Sequence, residues 1–363
     1  MFDFVPIDYY SNIYYHMMFL ISVGILLYSL SYDRKDVVSI NVVQTLGFGF
    51  LILFTLYIGL RPISFYFGDM LTYNHAFKAL QKGKTVQIKN DYAFNYFLLA
   101  SSKIMSSRFF FLVVDIFYIL PCYWFSRLYF GKYWVFAIFM FVGSFSFWPY
   151  GTNGIRNGLA TASFITGLCF YQHKKILMYS FFLLSFFIHS SLIIPIAAFI
   201  TSGIYKNPKL YLYIWLASIP LSLAGGSFWE SFFGNIGFGD RTSGYLTGGE
   251  EFKEQFSQTG FRWDFVLYSA SGIFAGYYFI FKKNITDKFY MHLFGIYAIA
   301  NAFWILVIRA NFSNRFAYLS WFLMAPVIAY PMLRYRIWND HNRVFGWIVF
   351  LYYMFTYIMF LKI

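Results

Sequence analysis

Four arginines lie at the ends of long apolar segments, where a guanidinium has little reason to stand alone: Arg61, Arg156, Arg309 and Arg315. The guanidinium is a planar fork of donors that suits phosphate oxygens. Any single one of them could instead extend along the apolar surface to reach water. Four together favour an anionic ligand such as a lipid pyrophosphate.

Arg156 lies in the stretch GTNGIRNGLA, residues 151–160. Its glycines allow a ligand or another backbone to come close. A helix is predicted to start at about Arg156, so its positive N-terminal end and the guanidinium point the same way. The pattern predicts an anion site, and a helix-start charge in a plain loop is the alternative.

Asp69 and His189 are the candidates to accept a proton. Asp69 follows Gly68 and could orient a sugar hydroxyl or act as a base; alternatively it caps an amphipathic helix beginning near Met70. His189 lies between apolar Ile188 and a pair of serines. An ionisable residue in a membrane segment is often functional, but a hydrogen-bonded structural histidine fits equally.

A further acid, Asp115, lies within a predicted span, where it either pairs with an arginine or helps to form a cavity. The sequence contains no HExxH, P-loop, GxSxG or DxD motif, so neither a metal nor ATP is expected.

The composition places these residues in a membrane protein. The chain has 363 residues, of which 60% are hydrophobic and 12% charged, against roughly 25% charged in soluble domains. Its two cysteines, Cys122 and Cys169, fall in predicted spans and give no disulfide framework. Membrane topology explains much of the net charge of +13, so no nucleic-acid partner is expected.

The hydrophobic pattern predicts an all-α polytopic protein with about twelve transmembrane helices, within a range of ten to fourteen. The spans are 13–32, 40–60, 108–126, 133–149, 157–172, 175–189, 190–204, 210–225, 263–281, 289–308, 316–333 and 344–361. Two stretches are too polar to cross: 61–107, with a half-helix near 92–106, and 226–262, a possible mobile lid. The whole chain, 1–363, is predicted to be one transmembrane domain.

Basic residues in short loops set the expected orientation. With the N-terminus outside, the inner loops hold residues such as Arg34, Arg127, Lys282 and Arg334. This topology requires 176–204 to form two short helices in a tight V around His189. The four arginines, Asp69 and His189 then face the extracytoplasmic side, in a single cavity.

Taken in order, these residues resemble a known family. Gly68-Asp69 with Tyr73, the stretch from Asp91 to Phe94, Arg156-Asn157, His189-Ser190-Ser191 and Asn314-Arg315-Phe316 with Tyr318 are similar to motifs of the EpsG family, the Wzy-like polysaccharide polymerases of bacteria. The similarity runs from roughly residue 15 to 335. Asn157 stands where the family usually has Gln, and the stretch from Asp91 departs from a Glu-Pro-containing element, which leaves the role of Asp91 open.

The resemblance implies a GT-C-like fold in the bacterial inner membrane, with re-entrant or periplasmic segments. It implies transfer of the growing glycan from undecaprenyl pyrophosphate onto the non-reducing end of a new lipid-linked repeat unit at the extracytoplasmic face. No cofactor, metal or nucleotide sugar is expected, and the partners are the lipid-linked oligosaccharide, membrane lipid and a separate chain-length regulator. Asp69 and His189 are then the catalytic candidates, the four arginines bind pyrophosphate, and the residues that position substrate are Asn157, Tyr73, Tyr318 and Arg241.

Other functions fit parts of the pattern. An O-antigen-ligase-like enzyme would use the same donor with a different acceptor. A flippase or transporter of lipid-linked glycans should show pseudo-symmetric halves, which the sequence lacks. A membrane acyltransferase would use a histidine but leave the outer arginines unexplained. The sugars, the linkage formed, the pathway served and the oligomeric state stay open.

Overall fold

A computed structural model describes residues 2–33, 36–84, 88, 90–226, 228–235, 260–310 and 313–362. Within those ranges the chain is helical and contains no strand. The helices of the first half are α1 (Ile7–Ser31), α2 (Val37–Gly59), α3 (Met70–Gln81), α4 (Tyr92–Ile104), α5 (Ser107–Phe130), α6 (Trp134–Val142), α7 (Phe147–Thr152), α8 (Ile155–Cys169) and α9 (Lys175–Ile188). Those of the second half are α10 (Ile193–Ile204), α11 (Pro208–Gly225), α12 (Phe228–Asn235), α13 (Trp263–Tyr277), α14 (Lys288–Leu306), α15 (Ser313–Trp321), α16 (Met324–Arg334) and α17 (His341–Leu361).

The described ranges contain seven helical segments long and apolar enough to cross a membrane. They are Ile7–Ser31, Val37–Gly59, Ser107–Val142, Trp263–Lys282, Lys288–Leu306, Ser313–Arg334 and His341–Leu361. The first of these, at about 1.5 Å per residue, is roughly 37 Å long and exceeds the hydrocarbon core of about 30 Å. The chain is a polytopic helical membrane protein, as predicted; the count of about twelve spans and the GT-C arrangement stay predictions.

The polar stretch 61–107 is not a plain loop. It contains α3 and α4, and α4 begins at Tyr92, where the sequence predicts the half-helix. Of the second polar stretch, 226–262, the structure describes little beyond α12, so its predicted role as a lid falls mainly outside the described residues.

The helical run around His189 is interrupted, as predicted. α9 ends at Ile188, His189 itself is extended with φ −152°, and a 3₁₀ turn over Ser190–Leu192 precedes α10. The chain also divides here into two compact units. Unit 1 comprises residues 1–189 and 332–363, and unit 2 comprises residues 190–331. Both the V and the single transmembrane domain stay predictions.

In unit 1, α1 packs against α17, and α5 packs against both α2 and α8. Tyr10 and Tyr57 fix the ends of α1 and α2 to each other. Their rings stack at a centroid distance of 4.2 Å, and each hydroxyl donates to the backbone carbonyl of the other residue, at 2.5 and 2.8 Å. At the far end of α1, the Tyr28 hydroxyl bonds Ser39 at the start of α2. These contacts make α1 and α2 antiparallel, so unit 1 has two distinct ends.

In unit 2, α14 packs against α10, α11 and α15. A buried polar network around Asn301 joins α14 to α11, α13 and α15. The indole of Trp215 donates to Asn301 Oδ1 at 2.7 Å, and Asn301 Nδ2 donates to Ser320 and Ser269 at 2.8 and 3.1 Å. Because an unpaired buried amide is costly, this network favours one arrangement of the four helices that carry it.

Candidate functional site

Three helices of unit 1 begin at one place. α3 starts after Asp69, α4 after Asp91 and α8 after Gly154. The backbone N–H of Asp69 donates to the side chain of Asn153, immediately before α8, at 2.9 Å. Arg156, the second residue of α8, forms an ion pair with Asp91 at 2.7 Å. Each helix N-terminus carries a partial positive charge, so their convergence creates a region suited to anions.

Arg156 lies at the centre of this cluster. Its Nε donates to the Tyr73 hydroxyl at 2.9 Å, and its Nη1 donates to Asp91 Oδ2 at 2.7 Å. The guanidinium carbon lies 5.5 Å from the ring centre of Tyr73 and 5.9 Å from that of Phe94. These contacts hold the fork in one orientation. Among the described residues nothing bonds Nη2, and the side chain keeps 17% of its surface exposed, so a ligand can reach it.

Asp69 and Asp91 both occupy the N-cap position, yet neither side chain bonds its own helix. Elsewhere in the chain, Asp36 and Asp287 at the same position accept hydrogen bonds from the amides of their own helices. Asp91 instead adopts a left-handed backbone, with φ +52°, and directs its carboxylate to Arg156. The ion pair with Arg156 therefore comes with a strained backbone at Asp91 and with the loss of a side-chain cap on α4.

Asp69 is half-buried, and its carboxylate makes no hydrogen bond or ion pair within the described part of the chain. It lies one helical turn before Tyr73, on the same face of α3, and acts electrostatically on Arg156. Asp69 was predicted either to cap α3 or to act on a sugar hydroxyl. It occupies the N-cap position, but its side chain does not cap the helix. The carboxylate itself stays available to a substrate.

Gly68 and Asn153 fix the position of Asp69. Gly68 has φ +59°, and a Cβ there would lie 2.4 Å from Asn153 Oδ1. Only glycine can therefore occupy this turn without moving the amide that accepts the Asp69 N–H. At the start of α8, Gly158 likewise lets the chain approach closely, since a Cβ there would lie 2.7 Å from the Tyr150 carbonyl oxygen.

Arg61 was predicted to bind pyrophosphate, but its side chain is completely buried and bonds other parts of the protein. Its Nη1 donates to Asp115 at 2.6 Å and to the Ile58 carbonyl at 2.5 Å, and its Nη2 donates to the Thr152 carbonyl at 3.1 Å. Of the two roles predicted for Asp115, pairing with an arginine or helping to form a cavity, the structure shows the pairing. Thr152 immediately precedes Asn153, so this buried ion pair supports the turn that carries the cluster.

Two other predicted residues of unit 1 lie near its helix ends. Asn157 is half-buried in the first turn of α8, next to Arg156. His189 is half-buried just beyond the end of α9, where its backbone N–H donates to the Ser185 carbonyl at 3.0 Å. The hydrogen bonds that define the Arg156 cluster do not include His189.

The remaining predicted residues belong to unit 2. Arg309 donates to the Ser222 carbonyl at 2.7 Å and lies 5.3 Å from the ring centre of Phe261. Arg315 lies half-exposed in the first turn of α15, and Tyr318 is buried one turn later, near Asn314 and Arg315. Arg241 lies outside the described residues.

Two members of the cluster were not assigned a role from sequence. The sequence leaves the role of Asp91 open, and Asn153 belongs to the glycine-containing stretch before α8. The spacing of Asp91 before an amphipathic helix resembles an ordinary N-cap, so only the left-handed backbone reveals its function. For Asn153 the available signal is an amide in a glycine-containing stretch, two residues before a helix whose second residue is arginine.

Comparison with known proteins identifies a family for the chain. No curated protein and no solved structure matches the chain. The family model described as EpsG family matches residues 45–363, a range that includes every residue of the Arg156 cluster. The chain therefore belongs to the EpsG family, whose members are membrane-bound polysaccharide polymerases.

Proposed function

We propose that this polymerase transfers a growing glycan from undecaprenyl pyrophosphate to the non-reducing end of a new lipid-linked repeat unit. The observation that carries the proposal is the convergence of three helix N-termini on Arg156, beside the available carboxylate of Asp69. A pyrophosphate leaving group needs stabilisation of negative charge, and a sugar hydroxyl needs a proton acceptor. The cluster supplies both kinds of group.

In the proposed reaction, a hydroxyl oxygen of the acceptor sugar attacks the anomeric carbon of the donor glycan. The bond between that carbon and the pyrophosphate oxygen breaks, and its electron pair leaves with undecaprenyl pyrophosphate. The hydroxyl proton passes to Asp69. Arg156 Nη2 and the first-turn amides of the converging helices hold the pyrophosphate as its charge develops.

The other predicted residues take supporting roles in this proposal. Tyr73 holds Arg156 by the hydrogen bond to Nε, and Asn157 lies beside it to contact the glycan. Arg315 and Arg309 are proposed to bind pyrophosphate. Tyr318 and Arg241 are proposed to position substrate, and His189 is the second catalytic candidate. Arg61 acts indirectly, by supporting the α7–α8 turn through Thr152.

The charge balance of the cluster indicates that binding a pyrophosphate needs more positive charge than Arg156 supplies. One guanidinium faces two carboxylates, Asp69 and Asp91, so the side chains of the cluster do not by themselves carry a positive excess. A pyrophosphate therefore requires the helix N-termini and a second cation.

The proposed site faces the periplasm, and the protein spans the inner membrane. Arg108 and Asp3 form an exposed ion pair at 2.7 Å near the start of α5, at the end of unit 1 where α1 begins. Within unit 1, the loop predicted to be cytoplasmic between α16 and α17 lies at the other end, where Arg334 donates to the Tyr129 carbonyl at 3.1 Å. The proposed orientation rests on this grouping and on the charge of those loops.

The test is reconstitution of the purified protein in liposomes with a lipid-linked repeat unit, followed by gel separation of the glycans. The wild type should produce a ladder without added nucleotide or metal. Arg156→Ala should lower the rate at least about 100-fold, the size expected when a donor to a developing anion is removed. Arg108→Ala is the matched control, because it removes an arginine at the same end of unit 1 that lies outside the cluster.

The comparison of these variants decides the proposal. It is wrong if Arg156→Ala retains full activity, or if the two variants lose activity equally. Movement of the lipid across the bilayer without glycan extension would instead identify a transporter. Transfer of a preformed glycan to a lipid A core acceptor, with no ladder, would identify a ligase.

A further inference from the structure

A polar cavity lies in unit 1, at the end opposite to the Arg156 cluster. It has a volume of about 520 Å³ and lies between the end of α1 and the loop that joins α16 to α17. The antiparallel α1 and α2 define its position, since Tyr10 lies beside the end of α2 that leads to Arg61, whereas the cavity begins at Ser29. The length of α1 separates the two sites by roughly 30 Å or more.

Three arginines line this cavity: Arg334, Arg336 and Arg343. Two carboxylates, Asp33 and Asp340, also line it, and Asp33 already accepts a hydrogen bond from Asn342 Nδ2 at 3.0 Å. Arg343 is exposed and makes no hydrogen bond or ion pair with any part of the chain that the structure describes. The lining therefore has an excess of guanidinium groups, in contrast to the Arg156 cluster.

The wall of the cavity is fixed by His341, which is buried. Its Nδ1 accepts the backbone N–H of Ile337 at 3.0 Å, so its Nε2 carries the proton and donates to the Met332 carbonyl at 2.8 Å. Both ring nitrogens are thus used within the loop. Arg334 adds a hydrogen bond to the Tyr129 carbonyl, which ties the same loop to the end of α5. The arginines are presented by a preformed surface.

We infer that this cavity binds a phosphate group through Arg336 and Arg343, with Arg334 as a third contact. Guanidinium groups recognise phosphate oxygens through paired hydrogen bonds, and basic pockets at helix ends on the cytoplasmic side suit lipid head groups. The phosphate comes either from an anionic phospholipid of the adjacent leaflet or from a soluble phosphate compound. Neither source is part of the proposed polymerase reaction, which takes place at the other end of unit 1.

The test uses the full-length protein in detergent and two probes. Phosphatidylglycerol binding is followed by native mass spectrometry, with phosphatidylcholine as the uncharged comparison, and inorganic phosphate binding by isothermal titration calorimetry. The variant is Arg336→Gln/Arg343→Gln, which leaves the hydrogen bond of Arg334 intact. The control is Lys282→Gln/Lys283→Gln, which removes the same charge from two exposed residues of unit 2.

We expect the arginine variant to bind at least one probe about tenfold or more weakly, the effect of losing charge-assisted hydrogen bonds worth about 1.4 kcal/mol. The lysine variant should bind within about threefold of the wild type. The probe that responds identifies the lipid or the soluble source. Phosphate binding that Arg156→Ala removes is assigned to the Arg156 cluster, and binding that only Arg336→Gln/Arg343→Gln removes is assigned to this cavity, so the two proposals are tested separately.

Two outcomes overturn the inference. Equal weakening in the arginine and lysine variants would show a diffuse attraction to the basic face. Absence of binding of both probes to the wild type, at concentrations up to about 1 mM, would show that the cavity has no useful phosphate affinity.

Discussion

At the scale of single residues, the candidate site contains two carboxylates at N-cap positions whose side chains do not cap their own helices. Asp69 begins α3 without capping it, and Asp91 begins α4 while bonding Arg156. Side-chain type and spacing predicted Arg156 and Asp69, the resemblance to the EpsG family added Tyr73, and the structure brings these three together. The role of Asp91 could not be predicted, because it depends on a left-handed backbone that Asp adopts only with compensation.

The substitution Asp69→Asn separates a chemical role from a structural one. The Asp69 side chain caps no amide of α3, so the thermal unfolding midpoint in detergent should change little. The rate of ladder formation should fall roughly 100-fold or more. The amide of asparagine is too weak a base to take the proton from the hydroxyl of the acceptor sugar. Normal polymerisation by this variant would exclude Asp69 as the base.

The pair Arg61–Asp115 should be far more important for stability than for direct chemistry. Asp115→Ala leaves a fully buried guanidinium without its carboxylate, and such losses cost about 3–5 kcal/mol. Asp3→Ala, which breaks the exposed pair with Arg108, is the matched control and should leave the unfolding midpoint nearly unchanged. A stable Asp115→Ala protein would contradict the supporting role assigned to Arg61.

At the scale of helices, the hydrophobic pattern predicted where apolar segments lie, and the interruption at His189 confirms one detailed expectation. It did not predict that α3, α4 and α8 begin together, because residues far apart in sequence determine that meeting. Nor did it predict the setting of Arg61. A helix-end arginine has the same sequence pattern whether it faces a ligand or a buried carboxylate, and only packing distinguishes the two.

The turn before α3 provides a test at this scale. Gly68 and Gly83 both have positive φ, at +59° and +78°, but only Gly68 would place a Cβ against another residue, Asn153. Gly83→Ala should therefore lose only the backbone strain, about 1–2 kcal/mol. Gly68→Ala should lose more stability and also activity, since Asn153 holds the Asp69 amide.

The double variant Gly68→Ala/Asn153→Gly checks the cause of that difference. It removes the atom that the new Cβ would meet, so its unfolding midpoint should recover toward that of Gly83→Ala, while activity stays low because the hydrogen bond to Asp69 is gone. Equal midpoints for the two single variants would show that Asn153 does not constrain the turn.

At the scale of the whole molecule, the two ends of unit 1 should face opposite sides of the membrane. Lys84, exposed after α3, and Asn339, exposed before α17, are markers for the two ends. Both native cysteines, Cys122 and Cys169, are buried, so their background reaction should be low. In spheroplasts, a membrane-impermeant maleimide should label Lys84→Cys and should label Asn339→Cys only after the membrane is opened. The reverse pattern would invert the proposed topology.

The ion pair between Arg156 and Asp91 has a consequence for turnover. If the Arg156 guanidinium had no carboxylate beside it, it would bind a pyrophosphate product tightly and release it slowly. Here the guanidinium has an internal anion beside it, at 2.7 Å, so departure of the product does not leave a bare charge in a partly buried place. If Arg156 binds the pyrophosphate, Asp91 serves as a returning counterion, and Asp91→Asn should slow product release more than it weakens substrate binding. Accumulation of enzyme-bound undecaprenyl pyrophosphate in that variant would be the direct sign.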